Sequence, residues 1–195
     1  MLARTPTIKE LLRQQGTNKW SMYGDLYDVL FAPMRDSLRC VVEIGIGTLD
    51  PNAPSTMIGF CEEGYRPGGS LRAWRDYFPN AEIHGIDVHP DTMFEDERIF
   101  THLIDSTVID IDSTVCVDDW ATLPGLIIDD GLHSIGAQKA TFDNFFPLLD
   151  NGQLYIIEDV APENVAALSE FLADFGSFFI YTTGVGWAIA VLRKG

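Results

Sequence analysis

The 195-residue sequence has no long apolar run and few basic residues. None of its hydrophobic stretches reaches the roughly 18–20 residues that a membrane-spanning helix needs. Only 13 Lys and Arg stand against 29 Asp and Glu, which gives a formal net charge of −16. Because a surface of that charge repels phosphate backbones, we expect neither nucleic acids nor membranes as partners. Solubility alone is the alternative explanation of this charge.

Cysteine is scarce as well. Cys40, Cys61 and Cys116 are odd in number and widely spaced, which fits neither a disulfide framework nor a zinc-binding pattern. The first residues contain no apolar segment of the kind found in a secretory signal. Together these absences predict a protein of the reducing cytoplasm.

Residues 1–35 are expected to form a helical segment in front of one main domain, residues 36–195. The chain is 46% hydrophobic, which is enough for one sizeable core. Thr7 and Glu10 fit a capping box that opens the first helix. The segment also carries three aromatic residues at helical spacing, Trp20, Tyr23 and Tyr27. Packing in the core and covering a ligand both explain that spacing, and the predicted division treats the segment as a lid.

The main domain is organised around residues 41–48, which predict a buried strand followed by a glycine turn. Four β-branched residues surround Glu43, and Gly45 and Gly47 then bracket an isoleucine. Glycine allows a sharp turn at a strand end and the close approach of a ligand. A second apolar strand ends at Asp87. A glycine turn and a carboxylate at neighbouring strand ends are typical of Rossmann-like nucleoside sites, where the acid binds the ribose hydroxyls.

The turn lacks the third glycine with which a helix N-terminus binds a pyrophosphate, which argues against NAD or FAD. The pattern favours a cofactor with a ribose and no phosphates, such as S-adenosylmethionine (SAM). A glycine turn that binds no ligand is the alternative interpretation.

The rest of the main domain alternates predicted strands and helices. A second N-terminal helix is expected to run through Tyr23 to Phe31. In the main domain, helices are expected to begin at Ser70, as an N-cap, to run from Ser134 to Leu149, and to run from Pro162 through Phe175. Further strands are expected at residues 98–104, 123–130 and 153–157, and two adjacent strands, 178–183 and 186–192, end the chain. We therefore predict an α/β fold, a Rossmann-like, doubly wound sheet of seven strands with a C-terminal antiparallel hairpin. This is the usual arrangement of class I SAM-dependent methyltransferases.

Two acid pairs, Asp129–Asp130 and Glu158–Asp159, each end a strand of this sheet. Ligands of open α/β sheets bind beyond the carboxyl ends of the strands, and two acid pairs there repel each other unless a positive charge lies between them. Carboxylate oxygens suit a hard divalent cation, Mg²⁺ ahead of Ca²⁺. His133 follows closely and could act as a general base. The alternatives are that the acids cap helices or pair with Arg or Lys, and that His133 only begins a helix.

Six segments together resemble a known family. They are residues 16–20 (GTNKW), 43–47 (EIGIG), 68–80 (GGSLRAWRDYFPN), 85–87 (GID), 129–133 (DDGLH) and 157–159 (IED). The sequence is similar in these segments to the macrocin- and mycinamicin-type sugar O-methyltransferases, which are related to cephalosporin hydroxylase-like proteins. The family commonly has Asp where Asn18 stands and a His near the position of Tyr23.

The resemblance implies that residues 36–195 form a SAM-dependent domain and that Mg²⁺ assists transfer of methyl to a hydroxyl of a small molecule. The acceptor is usually a deoxysugar of a natural product. It also implies that Asp130, Glu158 and Asp159 bind the metal and that His133 is the general base. The candidate residues for SAM are Glu43, Gly45, Gly47, Ser70, Asp87, Asp105, Ser106 and Asp129.

Two other functions are alternatives to methyl transfer, and the sequence argues against the second. A methyltransferase fold can bind SAM or another nucleoside without catalysis, as a sensor or an assembly partner. Iron-dependent oxygen chemistry, which the hydroxylase-like relatives suggest, would need two His and one carboxylate near the strand ends, and the sequence offers no such set there. The aromatic residues of the first thirty positions and the short chain are compatible with a homo-oligomer that completes the substrate pocket.

Overall fold

The computed structural model describes residues 4–108 and 120–195. Its seven strands are β1 Cys40–Ile44, β2 Glu82–Asp87, β3 Ile99–Leu103, β4 Leu126–Asp129, β5 Leu154–Val160, β6 Gly176–Thr182 and β7 Ala188–Lys194. They form one sheet in the order β3-β2-β1-β4-β5-β7-β6. Strands β1 to β5 are parallel, whereas β7 is antiparallel to both β5 and β6. The predicted doubly wound sheet with a terminal antiparallel hairpin is confirmed.

Helices cover both faces of the sheet. They are α1 Ile8–Gln14, α2 Lys19–Met22, α3 Gly24–Phe31, α4 Gly69–Tyr77, α5 Ile135–Phe145 and α6 Val165–Leu172. Short 3-10 turns occur at Ala32–Met34, Pro90–Thr92, Phe146–Leu148 and Pro162–Asn164. Strands β1, β4 and β5 are apolar almost throughout because they are buried on both faces, as expected for central parallel strands.

The N-terminal helices belong to the core on one face of the sheet. Tyr27 and Phe31 of α3 stack with ring centroids 4.8 Å apart, and both meet Trp74 of α4 edge to face. The predicted capping box of α1 is present, with Thr7 and Glu10 each accepting the backbone N–H of the other. The opposite face is buried under α5 and α6. Whether residues 1–35 also act as a lid stays a prediction.

Several predicted boundaries were wrong. The helix expected to run on through Tyr23 is divided there into α2 and α3. Gly24, the first residue of α3, lies so close to α1 that a Cβ on it would be 2.6 Å from Cγ of Lys9. Ser70 is not an N-cap: α4 begins one residue earlier, after Gly68 in the left-handed region, and the Ser70 hydroxyl points into the core. Helices α5 and α6 end before Leu149 and Phe175, where they were expected to end.

Strand β5 continues past its predicted end. Glu158 and Asp159 lie within it, and its register against β7 shifts between Ile157 and Val160. Asp159 has a φ of 48°, in the left-handed region that side chains rarely adopt. This bulge turns two successive acids toward the same side, where a regular strand would separate them.

The structure also bears on two features discussed from the sequence, membrane-spanning helices and the state of the cysteines. Of the helices in the described residues, none is long and apolar enough to cross a membrane. Cys40 and Cys61 are free thiols, while Cys116 lies outside the described residues.

Candidate active site

A cavity of about 750 Å³ opens beyond the carboxyl ends of β1, β2, β4 and β5. Neighbouring parallel strands bring their ends together here, so residues distant in sequence share one wall. Nine of the twelve candidate site residues line it: Gly45, Gly47, Asp87, Asp105, Ser106, Asp130, His133, Glu158 and Asp159. Glu43, Ser70 and Asp129 are not among its lining residues.

The glycine turn forms the floor of the cavity at the end of β1. Gly45 and Gly47 both have a φ of +88°. A Cβ on Gly45 would overlap the carbonyl oxygen of Asp130, and one on Gly47 would overlap the hydroxyl of Tyr65. Side chains are therefore excluded at both positions by backbone conformation and by space. Both glycines also belong to the lining of the cavity.

Asp87 is fixed at the end of β2. One carboxylate oxygen accepts the backbone N–H of Ile46 at 2.7 Å and the other accepts that of His89 at 2.9 Å. A carboxylate has about four acceptor positions, so each oxygen can accept a further hydrogen bond from a ligand. This geometry suits the predicted role of Asp87 beside a ribose.

Asp105 and Ser106 follow β3 on the same side of the cavity. The carboxylate of Asp105 accepts both the N–H and the hydroxyl of Thr107, and Ser106 shares a hydrogen bond of 3.0 Å with Thr141. These local bonds orient the loop that carries these two candidate SAM-binding residues.

Glu43 lies beneath the cavity, fully buried in β1. Its Oε2 accepts hydrogen bonds from Ser70 Oγ at 2.6 Å and from Trp74 Nε1 at 2.9 Å. Burial raises the pKa of Glu43, while Lys19 and the two donors oppose that rise. The structure thus gives Glu43 and Ser70 each other as partners. Their predicted contact with a cofactor stays a prediction.

Asp129 is also buried beside the cavity and not in its wall. It accepts the backbone N–H of Gly131 at 3.2 Å through Oδ1. Burial raises the pKa of Asp129 to about 7, although that hydrogen bond opposes the rise. Its predicted role in cofactor binding likewise stays a prediction.

The ammonium group of Lys19 lies among three carboxylates at the strand ends. Its Nζ is 2.6 Å from Asp130 Oδ2, 2.8 Å from Glu158 Oε2 and 3.2 Å from Glu43 Oε1. Burial alone would lower the pKa of Lys19, but these carboxylates raise it well above its usual value. For Asp130 and Glu158, the structure therefore shows the alternative considered from the sequence, pairing with a basic side chain.

Two tyrosines of the N-terminal helices hold the acids of β5. The hydroxyl of Tyr27 donates to Glu158 Oε1, and that of Tyr23 donates to Asp159 Oδ1. The backbone N–H of Asp159 in turn donates to the Tyr23 hydroxyl at 3.2 Å. Burial raises the pKa of Glu158 to about 8, and Lys19 opposes the rise. Both oxygens of Glu158 are thus engaged from the N-terminal side.

Asp130, Asp159 and His133 face one another across the cavity. His133 Nε2 is 3.3 Å from Asp130 Oδ1 and 3.9 Å from Asp159 Oδ2. One donor atom from each of the three residues lies within 4.8 Å of the others. Burial alone would lower the pKa of His133, but the hydrogen bond and charge of Asp130, together with Asp159, raise it to about 9. Two carboxylates and an imidazole at this spacing fit a divalent cation.

The sequence interpretation missed Lys19 as a site residue. Lys19, Tyr23 and Tyr27 follow one another at intervals of four, and all three side chains reach the strand-end acids. The sequence prediction used the spacing of the aromatic residues only, whereas Lys19 lies at the same interval before Tyr23. A signal was present: several acids at strand ends require a positive charge, and Lys is one source of it.

The mouth of the cavity has an apolar rim. It consists of side chains that are largely exposed and line the cavity: Phe60, Val88, Leu132, Val185 and Trp187. The Trp187 ring lies 6.5 Å from that of His133, centroid to centroid. Its backbone carbonyl accepts both the N–H and the hydroxyl of Thr183, which fixes the hairpin turn. A ligand reaching the acids would contact this rim.

Comparison with known proteins identifies relatives in sequence and in structure, although no family model matches. The chain is 32% identical over 160 residues to an 8-demethyl-8-α-L-rhamnosyl tetracenomycin-C 2′-O-methyltransferase from Streptomyces olivaceus. It is 31% identical over 165 residues to a demethylmacrocin O-methyltransferase from Streptomyces fradiae, and 29% identical over 168 residues to a mycinamicin VI 2′′-O-methyltransferase from Micromonospora griseorubida. These matches cover 80%, 80% and 81% of this chain, and 38%, 36% and 37% of the relatives.

Solved structures give the same fold. The MycE methyltransferase of the mycinamycin biosynthetic pathway, in complex with Mg and SAH, superposes with a TM-score of 0.76 at 23% identity. The match covers 98% of this chain and 55% of that one. A second MycE complex, which also holds mycinamycin VI, gives a TM-score of 0.75 at 24% identity, with the same coverage.

The fold is that of the class I SAM-dependent methyltransferases, with the antiparallel hairpin at the C-terminal end of the sheet. Within that class the chain is related in sequence to the macrocin- and mycinamicin-type sugar O-methyltransferases, as its motifs indicated. The chain spans less than two fifths of the length of these curated relatives.

Proposed function

We propose that this chain binds SAM and transfers its methyl group, with the assistance of Mg²⁺, to a hydroxyl of a small-molecule acceptor. The acceptor we favour is a sugar carried by a natural product. The observation that carries the proposal is the single cavity that joins the glycine turn and Asp87 to the cluster of Asp130, His133 and Asp159. The relatives named above support it, since each is named as an O-methyltransferase and the first is named for a rhamnosyl compound.

The first half of the cavity suits a nucleoside. Gly45, Gly47 and Asp87 line the same part of the cavity, and Asp87 can accept hydrogen bonds from the hydroxyls of a ribose. Asp105 and Ser106 would lie beside the base. A volume of about 750 Å³ leaves room for an acceptor next to a cofactor of this size.

The second half suits an ion and a proton acceptor. Asp130 and Asp159 would hold Mg²⁺, and Glu158 completes the predicted ligand set once Lys19 and Tyr27 release one of its oxygens. Bound together, SAM would supply an activated methyl group and Mg²⁺ would supply a Lewis acid beside the acceptor hydroxyl.

His133 is the proposed general base. Its ring lines the cavity, and its Nε2 lies beside both carboxylates, where it would take the hydroxyl proton. The pKa of about 9 belongs to the ion-free arrangement. Positive charge held by Asp130 and Asp159 would weaken their pull on the imidazolium and lower that pKa.

The apolar rim suggests how the acceptor is bound. Phe60, Val185 and Trp187 can contact the apolar part of a natural product while its sugar enters the cavity. Fixing the acceptor oxygen beside the methyl donor accounts for much of the rate acceleration in such a displacement. We also propose that a second copy of the chain closes the acceptor side of this pocket.

The test combines binding with turnover. SAM affinity is measured by calorimetry, and release of S-adenosylhomocysteine is followed with 8-demethyl-8-α-L-rhamnosyl tetracenomycin C and with methyl α-L-rhamnoside as acceptors. We expect SAM binding, turnover that stops in EDTA and returns with Mg²⁺, and a His133→Ala variant that loses turnover while retaining SAM affinity. SAM binding without transfer to any hydroxylated acceptor would favour a non-catalytic binding module, and turnover unchanged in EDTA would remove the metal.

A further inference from the structure

A buried cation already lies where the sequence predicts a divalent ion. Nζ of Lys19 contacts Glu43, Asp130 and Glu158, at 2.6 to 3.2 Å, and the residue is only 5% exposed. The ammonium donates hydrogen bonds to Asp130 and Glu158, and Glu43 adds a third negative charge at ion-pair distance. This arrangement neutralises part of a cluster that would otherwise bring like charges together.

Lys19 also determines which oxygens remain available. It binds Oδ2 of Asp130, so that Oδ1 of the same carboxylate faces His133 at 3.3 Å. It binds Oε2 of Glu158, whose other oxygen is taken by Tyr27. The oxygens that are left toward the cavity are Oδ1 of Asp130 and Oδ2 of Asp159, the two that approach His133.

We propose that Lys19 is the resident counter-ion of the strand-end acids and a positioning residue for the proposed metal site. Its ammonium holds Asp130 and Glu158 in place when no divalent ion is bound, and it confines that ion to the Asp130–Asp159 side for as long as it stays bonded to Glu158. The inference rests on the proposed function only in taking this cluster as the metal site.

The proposal predicts opposite effects on stability and on metal affinity. Removing the ammonium leaves the carboxylates uncompensated, so the protein should be less stable without metal. The loss of the ammonium also removes a positive charge that repels a dication, and it frees one oxygen on each of the predicted ligands Asp130 and Glu158. The metal should therefore bind more tightly. A lysine that only stabilised the fold would not increase metal affinity when replaced.

The experiment compares Lys19→Met with Lys9→Met in the absence of SAM and acceptor. Lys9 is a matched control, because it also pairs with a carboxylate from the N-terminal helices, Asp25 at 2.7 Å, but on the surface. Mn²⁺ serves as the probe: its affinity is measured from the electron paramagnetic resonance signal of the free ion, and the melting temperature is measured in EDTA and in Mn²⁺. We expect Lys19→Met to bind Mn²⁺ about ten-fold more tightly than the parent chain, to melt lower in EDTA and to regain more stability from Mn²⁺. Lys9→Met should match the parent in Mn²⁺ affinity.

Equal or weaker Mn²⁺ binding by Lys19→Met would overturn the proposal. If this variant does not fold, Lys19→Gln replaces it, since the amide keeps hydrogen bonds to Asp130 and Glu158 without the charge, and the same increase in affinity is expected. The result is independent of turnover. Tighter Mn²⁺ binding with no methyl transfer would leave the role of Lys19 intact while refuting the proposed enzyme activity.

Discussion

Replacing Glu43 with Gln should destabilise the fold strongly and change SAM affinity little. In the structure, Glu43 Oε2 receives hydrogen bonds from Ser70 and Trp74, and Oε1 lies 3.2 Å from Nζ of Lys19. A glutamine can keep its oxygen on the first two donors. Its amide group then faces the ammonium of Lys19, donor against donor, and the buried cation loses one of its three counter-charges.

The magnitude follows from those contacts. Losing one charge-assisted contact and creating one unsatisfied buried donor costs about 2–4 kcal/mol. The cost lies below the full penalty of an isolated buried charge, because Asp130 and Glu158 continue to compensate Lys19. For a chain of this size, each kcal/mol corresponds to roughly 2–4 °C, so the melting temperature should fall by about 5–15 °C.

Differential scanning calorimetry and SAM titration give the two readouts. Ser70→Ala is the matched control: it removes one donor from Glu43 but preserves the ion pair with Lys19, and should cost about 1 kcal/mol. A Glu43→Gln variant that melts like the parent chain, yet binds SAM at least ten-fold more weakly, would show that Glu43 contacts the cofactor. The proposed charge balance between Lys19 and its three carboxylates would then be refuted.

Two further predictions test the glycine turn and the buried imidazole of His84. Gly45→Ala should lower both stability and Mn²⁺ affinity, since its Cβ would displace the carbonyl of Asp130. Gly59→Ala, with a φ of +85° but open space around it, should show only the smaller backbone cost, and equal losses in the two variants would contradict this reasoning. Burial lowers the pKa of His84 to about 3, so the folded chain excludes a proton that the unfolded chain binds below about pH 6.5. The free energy of unfolding should therefore fall as the pH is lowered from about 6.5 to 3, by up to about 1.4 kcal/mol per pH unit from this group. Urea unfolding of His84→Leu should show a flatter decline with pH. An identical pH profile in the two proteins would argue against this role of His84.

The sheet could be predicted almost completely from the sequence because its signals are local. Apolar runs such as residues 41–44 are typical of buried parallel strands, and the glycine turn and the final hairpin have their own short patterns. The boundaries that failed depended on contacts between distant segments. Ser70, for example, turns inward because Glu43, 27 residues away in the chain, offers an acceptor there.

The sequence predicted which residues form the candidate site better than it predicted the contacts among them. Asp130, His133 and Asp159 were expected near one another, and the structure places them so. That both acids of β5 face the cavity could not be read from strand alternation, because the left-handed φ of Asp159 arises in a bulge against β7. Glu158 was expected to be open to a metal, whereas the structure engages both of its oxygens.

Lys19 shows where the reasoning from strand-end acids needs one more step. Charge balance requires a cation between the acid pairs, but it does not specify whether that cation is an ion or a side chain. Lys19 is 111 residues from Asp130 and 139 from Glu158, so no local pattern links them. The helical series that continues with Tyr23 and Tyr27 does place the lysine on the face that reaches the sheet ends. A search for metal sites in buried acid clusters should therefore first ask which lysines and arginines of the same chain can reach them.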